Sequence, residues 1–139
     1  MFKKLLLAVD GSYNASQAAK VAGSLVRELE ADLWIVTAFD PVPPYLGEPN
    51  MQNAINARME AAEAVLKETL KAVGTIHGGL KTEVLEGPAA EAILKVAKTR
   101  QNDLIVMGAR GLGTLSGILL GSQSQKVLHH APCPVLVVP

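Results

Sequence analysis

Residues 103–125 read DLIVMGARGLGTLSGILLGSQSQ, and they join an apolar run to a glycine-rich stretch. The run 104–107 is hydrophobic at every position, which is typical of a strand buried on both faces of a sheet. The following segment 108–125 contains five glycines and four hydroxyl side chains. A long glycine-rich loop beside a buried strand is usually functional, although a plain flexible connection is the alternative.

Apolar runs alternate with helical patterns along the rest of the chain. Strands are predicted at 4–9, 31–39, 80–86, 103–108 and 134–138. A first helix is predicted after the first strand and its turn, and it ends near residue 29. Further helices are predicted at 55–74, 88–100 and 122–130. The proline-rich segment 40–50 is predicted to be an exposed loop. Because this alternation requires right-handed crossovers, we predict an α/β fold whose five-stranded parallel sheet carries helices on both faces.

Length and composition favour one compact domain, 1–139. The chain is 49% hydrophobic and 19% charged, which is typical of a globular protein. Thirteen basic and thirteen acidic residues cancel, so the net charge suggests neither nucleic acid nor an anionic membrane as a partner. All the carboxylates lie at or before Asp103, whereas the segment 104–139 carries only basic and neutral side chains. The end of the chain therefore suits an anion.

The sequence carries no pattern of a membrane span or a secretory signal. Its opening apolar run stops at Asp10, which makes it too short for a signal core. The single cysteine, Cys133, cannot form an internal disulfide and is expected to be a packing residue. A reducing cytoplasm is the expected location.

Two loops should meet where the strand order reverses, because ligands of open parallel sheets bind beyond the carboxyl ends of the strands. They are the loop at Asp10-Gly11-Ser12 and the glycine-rich loop. A P-loop is excluded, since Gln125 precedes Lys126 where the motif requires glycine. A dinucleotide fingerprint is excluded as well, because Ser116 occupies its third glycine position.

The remaining spacing is Gly108-x-x-Gly111, nine residues, and then Gly121-Ser122 at a helix start. Glycines let backbone amides approach an oligophosphate closely, and a helix start adds unpaired donors with a favourable dipole. The hydroxyls of Ser122 and Ser124 would add donors, and Arg110 would add a positive charge. We expect Ser122 to cap its helix as well.

This chain resembles the universal stress protein family, in its ATP-binding branch. The resemblance covers nearly the whole sequence and includes VDGS, EGPAAEAIL, DLIVMGARGLG, LLGSQSQKVL and HAPCPVLVV, with the full G-x-x-G-x9-G-S spacing. It implies a Rossmann-like fold of the adenine nucleotide alpha hydrolase-like type, for which we predict strand order 3-2-1-4-5. It also implies a homodimer that pairs through the C-terminal strand.

The resemblance further implies a set of nucleotide-binding residues. Phosphates would be surrounded by Gly108, Gly111, Gly121, Ser122 and Ser124, with Arg110 nearby. The adenosine would lie against Ala8, Val9, Asp10, Ala38 and Met107, and Gln123 would complete the set. ATP, with ADP or AMP as alternatives, would bind with Mg²⁺ held by Asp10 and serine hydroxyls, which are hard oxygen ligands.

Alternatives remain for both the function and single residues. A slow ATPase and a nucleotide-independent interaction module are the rival functions, and Asp10-Gly11-Ser12 could be only a turn and a helix cap. Trp34 is expected in the core, and His77 is not expected to bind a metal. His129 and His130 are expected to cap or pack at a helix end.

Overall fold

The computed structural model describes residues 1–109 and 121–139, and they form a single five-stranded sheet. Every pair of neighbouring strands is parallel, and the order is β3-β2-β1-β4-β5. The strands are β1 (Lys4–Ala8), β2 (Asp32–Phe39), β3 (Leu80–Glu86), β4 (Leu104–Gly108) and β5 (Val135–Val138). The predicted α/β class and the strand order 3-2-1-4-5 are both confirmed.

Within residues 1–109 and 121–139, four α-helices cover the two faces of this sheet. They are α1 (Tyr13–Leu29), α2 (Asn50–Val73), α3 (Ala89–Thr99) and α4 (Ser122–His130). Leu5 and Leu7 of β1 pack into the core beneath α1 and α2, whereas Leu6 packs on the opposite face beneath α3 and α4. Successive residues of a strand point to opposite faces, so the continuous apolar run of β1 fills both cores.

The second helix begins earlier than the sequence predicted. The apolar spacing becomes clear only at Ile55, yet α2 begins at Asn50, since its first turns are mostly exposed and need no apolar stripe. The proline-rich loop before it contains a short 3-10 turn, Pro44–Leu46. Arg58 of α2 donates hydrogen bonds to the carbonyl oxygens of Asp40 and Pro41, which fastens this loop to the helix.

Trp34 packs against the core beneath α3 and α4, with part of its ring at the surface. Its Nε1 donates to Glu83 Oε1 at 3.1 Å, and the Arg100 guanidinium lies 4.5 Å from the ring centroid. A cation over an aromatic face is attracted by the ring quadrupole. Trp34 therefore closes the edge of this core rather than filling its centre.

The single cysteine is a packing residue, as predicted. Cys133 lies half-buried against the core beneath α3 and α4. Burial raises the pKa of its thiol, and the nearby Asp103 carboxylate raises it further. A thiol with a raised pKa is a poor nucleophile, since the thiolate is the reactive form.

The described residues show where the three histidines lie and whether any helix could cross a membrane. His77 is exposed, and within these residues no three or more His, Cys, Asp or Glu side chains group as they would around a metal. His129 and His130 form the last turn of α4, where an imidazolium interacts favourably with the helix dipole. In residues 1–109 and 121–139, no helix is long and apolar enough to cross a membrane.

A glycine in α1 allows the two helices of one face to cross closely. A Cβ added at Gly23 would lie 2.1 Å from the carbonyl oxygen of Val73 in α2. Arg27, one turn further along α1, donates to the same oxygen at 2.7 Å and to the Thr75 carbonyl at 3.2 Å. The last turn of α2 is thus held against α1 by these two residues.

We predict that Gly23→Ala destabilises the protein, although alanine is the better helix former by ~1 kcal/mol. The added methyl would overlap backbone atoms, which cannot move away as a flexible side chain can, and overpacking costs about 1–3 kcal/mol. Urea denaturation measures the free energy of unfolding. Ser24→Ala, at an exposed position of the same helix, is the control and should change it by less than ~0.5 kcal/mol. A stabilised Gly23→Ala variant would contradict this packing.

Candidate functional site

An open cleft lies at the carboxyl ends of β1, β2 and β4, where the sequence predicted a ligand site. The end of β1 and the loop after it form its floor, and the first turns of α1, α3 and α4 form its sides. The described lining residues are Ala8, Val9, Asp10, Ser12, Ala15, Val36, Thr37, Ala38, Ala89, Ile93, Met107, Gly108, Gly121, Gln123, Ser124 and Val127.

The structure brings most of the predicted site residues together in this cleft. Those that line it are Ala8, Val9, Asp10, Ala38, Met107, Gly108, Gly121, Gln123 and Ser124. Ser122 begins α4 next to the cleft but does not line it. Arg110 and Gly111 lie outside the described residues.

Part of the cleft is apolar, and sequence reasoning missed several of its residues. Ile93 of α3 and Val127 of α4 line it together with Ala8 and Met107 on the same face of the sheet. The apolar helical pattern predicts that such residues face the sheet. It cannot tell which of them lies at the height of the cleft, because that depends on how each helix is shifted along the strands.

The loop after β1 is a turn that caps its own helix. Asp10 Oδ1 accepts a hydrogen bond from the Ser12 amide at 2.9 Å, and Gly11 has a φ of +84°, a left-handed conformation that favours glycine. Ser12 Oγ accepts the Ala15 amide at 3.1 Å as the N-cap of α1. The turn-and-cap interpretation is therefore confirmed as local structure, and Asp10 and Ser12 line the cleft as well.

The first turn of α4 has no such cap. Gly121 occupies the N-cap position and has no side chain to accept a bond, so the expectation that Ser122 caps this helix is wrong. The first helical bond runs from the Gln125 amide to the Gly121 carbonyl at 3.0 Å. The amides of Ser122, Gln123 and Ser124 have no hydrogen-bond partner within the described residues.

The first turn of α3 is capped from another helix. Its N-cap residue is Pro88, which offers no side-chain acceptor. Gln123 Oε1 accepts the Ala90 amide at 2.8 Å instead. Of the three helices that begin at the cleft, α4 is, within the described residues, the one whose first turn has no side-chain cap. Unpaired amides at the positive end of a helix dipole bind anions.

Gly108 has a packing role that the phosphate interpretation did not anticipate. A Cβ added there would lie 2.6 Å from the carbonyl carbon of Asn14 and 2.8 Å from the Ala15 nitrogen. Only glycine lets the end of β4 lie so close to the start of α1. This close approach brings the first turn of α1 to the rim of the cleft.

Charge is sparse among the described lining residues. Asp10 is the one ionisable side chain of that set, and the rest are apolar groups, hydroxyls and the Gln123 amide. The cleft thus offers an apolar surface, hydroxyl and amide donors at one end and one carboxylate. Such a combination suits a ligand with an apolar ring and an anionic tail.

Comparisons with known proteins place the chain within one family. The model of the universal stress protein family matches residues 1–139. A universal stress protein of Thermus aquaticus is 49% identical over 99% of this chain and 99% of its own length. The solved structure of universal stress protein UspA from Lactobacillus plantarum is similar, with a TM-score of 0.84, 29% identity and coverage of 99% of this chain and 98% of that one.

A further solved structure shows a universal stress protein in complex with cAMP. It has a TM-score of 0.71 and 26% identity, and the match covers 99% of this chain and 96% of that one. Since the family match spans every residue and the Thermus aquaticus relative shares almost half of them, this chain belongs to the universal stress protein family.

Proposed function

We propose that this protein is a cytoplasmic regulatory or sensor protein that binds ATP between the loop after β1 and the glycine-rich loop before α4. The open amides of Ser122, Gln123 and Ser124 are the observation that carries the proposal. They would receive the phosphates, with the Ser124 hydroxyl beside them. Arg110 and Gly111, which lie outside the described residues, are proposed to complete the phosphate end.

The other end of the cleft suits the nucleoside. Ala8, Ala38 and Met107 provide an apolar surface at the strand ends on which a planar base can lie. Backbone groups near Ala38 are proposed to bind the adenine edge. The related protein solved with cAMP supports an adenine nucleotide as the ligand class. ADP and AMP are the alternatives to ATP.

A magnesium ion is proposed to accompany the phosphates. Mg²⁺ is usually held by one or two carboxylates together with substrate phosphates rather than by a cage of protein ligands. Asp10 is the carboxylate of the described cleft, and Ser12 and Ser124 add hydroxyls to the same lining. This donor set fits the ion when the phosphates supply the remaining ligands.

We propose that the nucleotide is held rather than turned over. Rapid phosphoryl transfer needs positioned cations and a group that orients the attacking water. The proposed site offers one arginine, Arg110, no P-loop lysine and one carboxylate of the described lining, Asp10. Release of labelled phosphate from ATP would distinguish a slow ATPase from a nucleotide holder.

Nucleotide binding should stabilise the protein. At a ligand concentration 100 times Kd, the folded state gains about 2.7 kcal/mol, which corresponds to roughly 10 °C in melting temperature for a domain of this size. We predict such an increase with ATP and Mg²⁺ in a thermal denaturation experiment. Mass spectrometry of nucleotide released from the purified protein would identify the natural ligand. A melting temperature that adenine nucleotides do not change would contradict the proposal.

A cap introduced at the start of α4 should compete with the phosphates. We predict that Gly121→Asp lowers ATP affinity by at least tenfold (about 1.4 kcal/mol), because the new carboxylate would accept the open amides and repel an anion. Aspartate is a good N-cap residue, so the free energy of unfolding should stay within a few tenths of a kcal/mol or rise. Isothermal titration calorimetry measures the affinity.

Gly121→Ala is the control for this variant. The backbone at Gly121 has φ −63° and ψ 159°, which alanine adopts without strain. Alanine provides no acceptor and leaves the amides of α4 open, so the control should retain more affinity than Gly121→Asp. Equal ATP affinity in the aspartate variant and the unmodified protein would rule out phosphate binding at this helix.

We also propose that the protein is a homodimer that pairs through β5. This strand lies at the edge of the sheet, and Leu136 is exposed there. An apolar edge strand is usually covered or paired. Light scattering at micromolar concentration should give twice the mass of the chain, and Leu136→Lys should shift it toward the monomer. A monomer in the unmodified protein would contradict this proposal.

A further inference from the structure

Gln123 connects the two helices that flank one side of the cleft. It lies in the first turn of α4, and its Oε1 accepts the amide of Ala90, which lies 33 residues earlier in the first turn of α3. The side chain therefore replaces the cap that Pro88 cannot provide. The bond also fixes which end of the amide is which, since only the oxygen can accept from a backbone N–H.

The Ala90 amide depends on this acceptor. Ala90 is 1% exposed, so water has little access to it, and the amide belongs to the turn in which no helical carbonyl is available. Without Gln123 Oε1, this donor would be buried and unsatisfied, or α3 would have to shift to expose it. The start of α3 is therefore held in place by a side chain of α4.

The position of α3 matters because its first turns form one wall of the cleft. Ala89 and Ile93 line the cleft from α3, and Gln123 lines it from α4 next to the open amides. Ile93 and Val127 belong to the same buried cluster, and neither apolar side chain has a directional contact that would fix the helices along their axes. The hydrogen bond of Gln123 is directional, so it fixes the position of α3 relative to α4.

We propose that Gln123 is a positioning residue, which holds α3 so that Ile93 keeps its place in the cluster that it shares with Ala8 and Met107, where the base is proposed to lie. The inference rests on the proposed function and deepens it, because it separates the positioning of the nucleoside wall from the binding of the phosphates. A residue on the helix that receives the phosphates thereby also determines the fit of the base.

Two substitutions separate the acceptor from the rest of the side chain. Gln123→Leu has a similar size but removes the oxygen, and Gln123→Glu retains an acceptor for the Ala90 amide. Adenosine is the probe, because it has no phosphates that the new carboxylate could repel. We expect Gln123→Leu to raise the Kd of adenosine about tenfold, because binding would have to return α3 to a position in which the Ala90 amide is unsatisfied, at a cost of ~1.4 kcal/mol. Gln123→Glu should remain within about twofold of the unmodified protein.

Hydrogen exchange at the Ala90 amide shows whether the contact itself has changed. Its protection should fall in Gln123→Leu and persist in Gln123→Glu. If Gln123→Leu loses this protection and still binds adenosine with unchanged affinity, Gln123 is only a helix cap and the inference is overturned. If Gln123→Leu does not fold, Gln123→Asn, which is one methylene too short to reach Ala90, should show the same weakened binding.

The unmodified protein distinguishes this inference from the proposed function. If it binds neither adenosine nor ATP, the proposed function fails and the inference fails with it. If it binds both and Gln123→Leu binds them equally well, only the inference fails. ATP titrated into Gln123→Glu adds a second comparison, since a carboxylate beside the phosphates should weaken ATP binding more than adenosine binding.

Discussion

A parallel sheet with two apolar faces is the constraint on which the rest of the structure depends. Because β1 is buried on both sides, helices must cover both faces, and each crossover returns the chain so that the next strand runs in the same direction. Helices that follow the strands therefore begin at the carboxyl edge of the sheet. The same geometry that buries Leu5, Leu6 and Leu7 brings the first turns of α1, α3 and α4 to one cleft.

Three helices begin at one edge of the sheet, so many amide donors of first turns lie close together. The three first turns differ in how they are capped. The first turn of α1 is capped by Ser12 of its own loop, and the first turn of α3 is capped by Gln123 of another helix. The first turn of α4 begins with Gly121 and has no cap. The difference lies in side chains rather than in backbone geometry, since all three helices begin at the same edge.

Three of the described glycines act in two physical ways. Gly23 and Gly108 are places where backbone from another element comes within 3 Å of where a Cβ would be, so they serve packing. Gly121 matters instead because it has no side-chain acceptor at a helix start. The sequence alone gives no means to separate these roles, because the distance between two backbone segments depends on how the helices dock.

Sequence reasoning predicted the features that local patterns determine and missed those that depend on long-range contacts. Buried runs such as that of β1 predict the strands and the order of elements, because a strand buried on both faces is apolar at consecutive positions. The early start of α2 at Asn50 has no apolar pattern that could predict it, since exposed turns tolerate polar residues. The bond from Gln123 to Ala90 joins residues 33 positions apart, so only the folded chain shows it. Asp10 and Gly108 could be predicted because each directly follows or ends a buried strand, whereas Ala8, Val9, Ala38 and Met107 were implied by the resemblance to the family.

An uncapped helix start has a cost that a ligand can recover. Replacing a good N-cap residue with one that cannot cap typically costs about 1 kcal/mol, although glycine costs only a few tenths because its backbone leaves the amides open to water. Glycine at position 121 thus keeps these donors unpaired in the absence of a ligand with only a small loss of stability. An anion that binds them stabilises the folded state by RT ln(1 + [L]/Kd), which rises with the logarithm of its concentration above Kd. Stability that rises with nucleotide concentration is the physical property that the proposed sensor role requires.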